Sequence, residues 1–267
     1  MNNLFLNETF KSLWSGKNPF DEAFKLDGEV FRSVKSRRTF RFELNGRGYF
    51  AKIHRGTGWK EIIKNWIQLK TPVLGARNEY EAIRKLEALG IPTMTPAAFG
   101  ERGKNPAKIE SFIITEELTN TVSLEDFCRD WKETPPAFAL KKSLIEYVAN
   151  VSRTLHRNGV NHRDYYICHF LLNLSRPLTS PLTAYLIDLH RTQLREKTPR
   201  RWLIKDIAGL YFSAMDIGLT ERDIFRFIKI YSGKPLREEL KTNASFWQSV
   251  RLTAFNLYCK EQIKPKG

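Results

Sequence analysis

The sequence predicts an α+β fold in two lobes: an antiparallel sheet with a helix comes first, and a mainly helical part follows. Three observations carry that reading. Residues 28–53 alternate aromatic or β-branched residues with polar ones around the turn "NGRG". After the break "KETPPAF" a long helical pattern begins, and everything from Arg200 onward has helical character. Between these helical stretches lie two short apolar runs, "HFLLNL" and "AYLIDL", separated by a turn holding Pro177 and Pro181. The join falls near Glu117–Thr121, so lobes of 1–118 and 119–267 are expected, with a cleft where they meet.

Taken in order, "GEVFRSVKSRRTFRFELNGRGYFAKIH" reads as strands, and Lys52 sits inside its last apolar run. In "GWKEIIKNWIQLK" the residues Trp59, Ile62, Ile63, Trp66 and Ile67 recur at helical spacing. "ARNEYEAIRKLEALGIPTMTP" is a helix stopped by Gly90, with Pro92 beyond. "KIESFIITEEL" reads as a buried strand. Ser123 is placed to cap the short helix "LEDFCRDW", and "ALKKSLIEYVANVSRTLHRNG" is a long helix closed by Gly159.

The 267 residues suffice to bury a real core, and 42% hydrophobic with 27% charged residues is a globular composition. No apolar run reaches the roughly 18–20 residues of a spanning helix. The start shows no basic segment followed by an apolar one, so no secretory signal is expected. Cys128, Cys168 and Cys259 are far apart and lack metal-ligand spacing, which suggests reduced thiols in the cytoplasm. Forty-four Lys and Arg against 29 Asp and Glu leave a net charge of +15. A field of that sign gathers polyanions, and on charge alone nucleic acid ranks first.

The chemistry concentrates in "VNHRDYYICHFLL" and "LIDLHRTQ". Asp164 lies in the loop before one short strand, and Asp188 at the end of the next, 24 positions on. Two carboxylates so placed suit a divalent cation and a proton acceptor, the requirements of phosphoryl transfer. A lysine inside an apolar strand is costly unless paired, so Lys52 calls for an acid from the following helix, Glu79 or Glu81.

In order and spacing, "FAKI", the helix acid, "HRD" at 162–164 and "IDLH" at 187–190 resemble a protein-kinase-like fold. More narrowly, "NHRDYYICHFLL" with "LIDLHRTQ" resembles the lipopolysaccharide core heptose(I) kinase family (WaaP/RfaP), over nearly the whole chain. The resemblance implies ATP-dependent phosphorylation of the first heptose of the inner core, on a lipid A–core oligosaccharide, at the cytoplasmic face of the inner membrane. Asp164 would be the catalytic base, and Lys52 would meet the α- and β-phosphates. Glu79 is preferred as its partner, since it stands eleven positions before Gly90, where similar kinases carry this acid. Asp188 would hold Mg2+, and Glu116, Glu117 and Leu118 would meet adenine through their backbone.

Three departures from the kinase pattern stand out. His169 occupies the place of the asparagine that holds a second metal, and a nitrogen ligand suits a hard cation less well. His169 therefore takes that metal position, or contacts phosphate, or leaves the site with one ion. "DLH" replaces the usual metal-binding triplet, and Lys35, Arg37 and Arg38 stand where a glycine-rich loop is expected. His162 is expected to be structural, and Tyr165, Tyr166 and Cys168 to pack. The basic charge then serves an anionic acceptor and membrane surface and not nucleic acid. Peripheral membrane contact is expected through the two-tryptophan helix flanked by Lys60, Lys64 and Lys70, each worth roughly 1 kcal/mol near an anionic surface. A core-facing role for that helix is the competing reading. The alternatives in function are a Kdo kinase, an atypical protein or aminoglycoside-type kinase, or an inactive kinase-like scaffold. The sequence leaves any protein partner unknown.

Overall fold

The computed structural model describes residues 3–34, 36–67, 75–178 and 181–263. Lys35, Lys70 and the side chains of Ile62 and Trp66, all named above, lie outside the described residues. Two compact units are present: Met1–Lys85, Met94–Thr119 and Leu189–Arg191 form the first, and Leu86–Thr93, Asn120–Asp188 and Thr192–Gly267 the second.

The first unit opens with β1 (Asn3–Leu6), α1 (Glu8–Leu13) and α2 (Pro19–Lys25), none of which the periodicity of the sequence announced. Their local signals are caps: Asn7 and Asn18 each accept a backbone N–H through their side chains, from Phe10 and Phe20, at 3.0 Å. Then come β2 (Glu29–Val34), β3 (Arg37–Leu44), β4 (Arg47–Arg55), α3 (Trp59–Ile67), α4 (Arg77–Ala88), β5 (Pro96–Arg102) and β6 (Glu110–Glu116). The six strands form one antiparallel sheet in the order β1-β5-β6-β4-β3-β2. The turn between β3 and β4 has Asn45 at φ 52° and Gly46 at φ 72°. An Asn-Gly pair accepts these two left-handed conformations, and they match the twist of the flanking strands.

Alternation and register divide the sheet into two faces. Phe40, Tyr49, Ala51, Phe112 and Ile114 bury against Phe10 of α1, Trp14 just after it, and Phe20 and Ala23 of α2, forming the core of the unit. The opposite face is mixed: Lys52 is paired across the ladder with Thr39 and with the buried Ile113, and His54 with both Arg37 and Ser111. The N-terminal helices cover one side, and α4 lies on the side bearing Lys52, where Tyr80 stacks on Phe99.

The second unit holds β7 (Thr121–Ser123), α5 (Leu124–Phe127), α6 (Phe138–Arg157), β8 (Val160–Asn161), β9 (Phe170–Asn173), β10 (Ala184–Leu186), β11 (Gln193–Leu194) and four helices. These are α7 (Arg200–Ser213), α8 (Glu221–Ser232), α9 (Leu236–Thr242) and α10 (Ala244–Ile263). Ser123 caps α5, accepting the Asp126 N–H at 3.0 Å. Strands β10, β9 and β7 form one small antiparallel sheet, and β11 pairs with β8. Ile207 and Ala208 of α7 pack on Phe246, Val250 and Ala254 of α10. Two expected strands are shorter than their apolar runs: His169 closes a 3-10 turn before β9, and β10 ends at Leu186, two residues before Asp188.

Candidate active site

In the first unit, the Lys52 ammonium lies 2.5 Å from the Glu79 carboxylate. Glu79, in the first turn of α4, is 2% exposed, whereas Glu81 is exposed. The pairing follows from helix geometry: α4 turns Glu79 inward with Ala82, Ile83 and Leu86, three, four and seven positions on. A buried carboxylate holding the lysine fixes its direction while leaving two ammonium protons for other acceptors.

Glu117 follows β6. Its carboxylate receives two hydrogen bonds from Arg41, at 2.7 Å from Nε and 2.8 Å from Nη2. Its backbone N–H donates to the Gly48 carbonyl at 3.0 Å, and that of Glu116 to Thr95 at 2.9 Å. Any part Glu117 plays toward a base therefore runs through its carbonyl oxygen. Leu118 lies in the link that follows, before β7.

In the second unit, α6 ends at Gly159, whose φ is 76°. A Cβ there would lie 1.7 Å from the Arg195 carbonyl oxygen, so only glycine allows β8 and β11 to approach this closely. The loop of residues 162–164 leaves β8 and is clasped from beneath by Asp206 of α7. That carboxylate accepts the His162 N–H at 2.6 Å and the Arg163 N–H at 2.9 Å, with His156 Nε2 at 3.4 Å. The clasp stabilises Arg163 at φ 75°, a conformation that side chains disfavour. Asp206 was not singled out in the sequence, although the signal is present: a lone acid amid Ile204, Ile207, Ala208 and Leu210 needs buried donors.

His162 is fully buried and structural, as expected. Its Nε2–H donates to the Ile187 carbonyl at 2.9 Å, and burial lowers its pKa. Tyr165 is also buried, sharing a hydrogen bond of 2.9 Å with Ser152. Burial raises the Cys128 thiol to about 12 and Cys168 to about 11, so neither is poised as a nucleophile.

His169 brings the predicted residues of this unit together. One ring nitrogen, Nδ1, donates to the Asp164 carbonyl at 2.7 Å, since a carbonyl oxygen can only accept. The other, Nε2, lies 3.7 Å from the Asp188 carboxylate. With Nδ1 bonded this way, Nε2 is the ring atom that faces Asp188. The Asp188 oxygens are the donors that Mg2+ prefers, and His169 Nε2 beside them would add a softer one. Among the described residues no cluster of three or more His, Cys, Asp or Glu side chains forms a metal cage. The ion would depend on phosphate oxygens and water for its other ligands, as Mg2+ commonly does. Asp188 itself has φ 60°, a backbone turn that breaks away from β10.

Residues 21–231 match the model of the lipopolysaccharide kinase (Kdo/WaaP) family. The chain belongs to the lipopolysaccharide kinase (Kdo/WaaP) family. It is 52% identical over 260 residues to the lipopolysaccharide core heptose(I) kinase WaaP of Pseudomonas aeruginosa, covering 97% of each chain. It is 55% identical over 239 residues to a WaaP of Escherichia coli, covering 88% of this chain and 89% of that one. A solved structure of WaaP in complex with acyl carrier protein superposes with a TM-score of 0.85 at 48% identity, covering 96% of this chain and 99% of the other. The kinase-like fold and the phosphotransferase class follow from this membership.

Proposed function

We propose that this chain transfers the γ-phosphoryl group of ATP to a hydroxyl of the first heptose of the lipopolysaccharide inner core. The observation that carries the reading is His169, which ties the Asp164 backbone to the neighbourhood of the Asp188 carboxylate. In the transfer, the Asp164 carboxylate takes the proton of the heptose hydroxyl as its oxygen bonds to phosphorus. The bond to ADP breaks, and ADP leaves with the electron pair. Lys52, steadied by Glu79, holds the nucleotide phosphates. Asp188 and His169 would hold Mg2+, which when bound neutralises charge developing on the phosphate oxygens. Glu117 and Leu118 meet the base through their backbone.

Two further parts of the reading concern partners. On α3, Trp59, Ile63 and Ile67 are 49%, 48% and 79% exposed and recur every four residues, forming an apolar stripe with Lys60 and Lys64 on the same helix. Such a stripe suits peripheral contact with an anionic leaflet, and it supports our reading of an enzyme working at the cytoplasmic face of the inner membrane beside a lipid-linked acceptor. We also extend the acyl carrier protein of the solved WaaP complex to this chain as a partner. The second unit contains a cavity of about 500 Å³ lined by Leu124, Trp131, Leu144, Ile207, Leu210 and Phe227, an apolar environment that suits an acyl chain.

The deciding experiment incubates the protein with ATP, Mg2+ and dephosphorylated core lipopolysaccharide, then locates new phosphate by mass spectrometry. Phosphate on the first heptose supports the reading. Phosphate on Kdo or on protein alone overturns it in favour of the related kinases.

A further inference from the structure

The Asp206 carboxylate that clasps the loop of Asp164 is itself met by a buried imidazole. His156, in the last turn of α6, bridges two groups with its ring: Nδ1 lies 2.8 Å from the Tyr231 hydroxyl of α8, and Nε2 lies 3.4 Å from Asp206 Oδ2. The hydrogen positions follow from the chemistry. Asp206 also receives the backbone N–H groups of His162 at 2.6 Å and Arg163 at 2.9 Å, and an ionised carboxylate only accepts. The ring nitrogen facing it therefore carries a hydrogen, which in a neutral imidazole leaves Nδ1 with a bare lone pair. The Tyr231 hydroxyl is the donor to that lone pair.

The donor is rigidly held. The Tyr231 ring stacks on Phe227, one turn back on α8, with ring centres 5.8 Å apart and planes 9° apart. It meets Trp247 of α10 edge-on at 5.8 Å and the His156 ring edge-on at 5.6 Å. Trp247 is tied in turn by its indole N–H to Glu239 at 3.0 Å. The helix that carries Tyr231 is closed at both ends, by a reciprocal cap between Thr220 and Asp223 and by Gly233 at φ 70°. Burial, with Asp206 and Glu239 nearby, raises the Tyr231 pKa and keeps the proton on its hydroxyl. Rigidity matters because the contact at Nε2 is long. At 3.4 Å it lies beyond the roughly 2.7–3.2 Å usual for an N–H donor to oxygen, so a small turn of the ring loses it.

We propose that Tyr231 is a positioning residue for phosphoryl transfer: its hydroxyl aims His156 at Asp206, and Asp206 holds the loop that carries Asp164. This rests on the kinase reading above. Asp206 is 1% exposed and steadies Arg163 at φ 75°, a conformation that the loop does not adopt freely. Each donor on that carboxylate offsets the cost of burying it and fixes the direction of its two oxygens. Once the His156 N–H turns away, the carboxylate is free to rotate off the His162 and Arg163 N–H groups. Asp164, next in the chain, then loses its fixed place. Tyr231 acts through His156, Asp206 and the loop backbone, so it bears on the rate of the bound complex and not on the affinity for either substrate.

The test uses the full chain and Tyr231→Phe, which keeps the ring contacts and removes the hydroxyl alone. Turnover of core lipopolysaccharide should fall about tenfold while the KM values for ATP and acceptor stay within about twofold, since the lost contact orders the proton acceptor and binds neither substrate. His156→Leu should lose at least as much, and His156→Gln, whose amide both donates and accepts, should recover part of that loss. Adding Tyr231→Phe to His156→Leu should change turnover by less than about twofold, because the hydroxyl then has nothing left to aim. Separately, nitrogen NMR of histidine-labelled protein, in buffer where a free imidazole is neutral, should show His156 protonated at Nε2 and bare at Nδ1. Tyr231→Phe should shift the Nδ1 resonance. Unchanged turnover in Tyr231→Phe, a loss confined to the KM values, or full additivity with His156→Leu overturns the proposal. So does a His156 ring protonated at Nδ1. If the wild type phosphorylates no sugar, the kinase reading fails, and the nitrogen spectra still decide whether Tyr231 aims His156.

Discussion

Arg41 and Glu117 form a two-pronged ion pair that ties β3 to the segment following β6, and Gly48 makes room for it. A Cβ on Gly48 would lie 1.7 Å from a Glu117 carboxylate oxygen. Gly48→Ala should therefore push the carboxylate off Arg41 and disturb the backbone at Glu116–Leu118. We expect the KM for ATP to rise roughly fivefold with kcat changed less than about twofold, the mark of lost substrate positioning. Equal loss in both parameters, or none, would remove this segment from nucleotide binding. Arg41→Lys should fall between the two, since an ammonium cannot reproduce the parallel pair of hydrogen bonds.

The Lys52–Glu79 pair makes a sharper distinction. Glu79→Gln leaves Lys52 without its buried counter-charge, and losing one partner of such a pair costs about 3–5 kcal/mol when burial is complete. The Lys52 side chain is 17% exposed, which places the expected cost toward the lower end of that range. Turnover should drop by roughly a hundredfold through misplaced phosphates. Glu81→Gln, an exposed change on the same helix, should do neither. Chemical denaturation and steady-state kinetics on the two variants check this, and equal effects from both would refute the assignment.

His169 predicts a metal preference. An imidazole nitrogen suits Mn2+ better than Mg2+, and an amide oxygen suits the harder ion. His169→Asn should shift the ratio of Mn2+- to Mg2+-supported activity toward Mg2+ by about tenfold. If half-saturating concentrations of both ions are unmoved, His169 is not a ligand, and its bond to the Asp164 carbonyl is its whole role.

His54 carries a pH dependence of stability. It is 6% exposed on the face of the sheet that bears Lys52, and burial, with Arg37, Lys52 and His190 around it, lowers its pKa from 6.5 to about 3. The unfolded chain thus binds a proton that the folded chain refuses between these two values. Its contribution is fully present above pH 6.5 and declines as the pH falls toward about 3, by about 1.4 kcal/mol per unit. His54→Gln should remove about 2 kcal/mol of the stability difference between about pH 7 and about pH 5 in urea unfolding. An identical pH slope in the variant would show that His54 protonates freely in the fold.

Much of the site was legible because its chemistry is written in unusual local choices. Lys52 interrupts an apolar strand, Asp164 and Asp188 sit at the mouths of short apolar runs, and Asn45-Gly46 dictates a tight hairpin; each is a cost or preference readable within a few residues. Asp206 shows the limit. Its burial was predictable from its neighbours, but its partners, the backbone N–H groups of His162 and Arg163, lie more than forty positions earlier in the chain. The N-terminal strand and two short helices escaped notice for a related reason. Elements of four to seven residues have too little periodicity of their own and are held by the sheet they cover.

By itself, the sequence determined which residue types stand where: alternation set the strands, caps and glycines set the helix ends, and isolated charges in apolar text marked the positions that would need partners. Tertiary structure alone decided who those partners are. It chose Glu79 over Glu81, gave Glu117 to Arg41, set Asp206 under the loop of Asp164 and put Tyr231 against His156. The physical reason is that a residue's own cost of burial is local, whereas the group that offsets it is delivered by the chain's path through space.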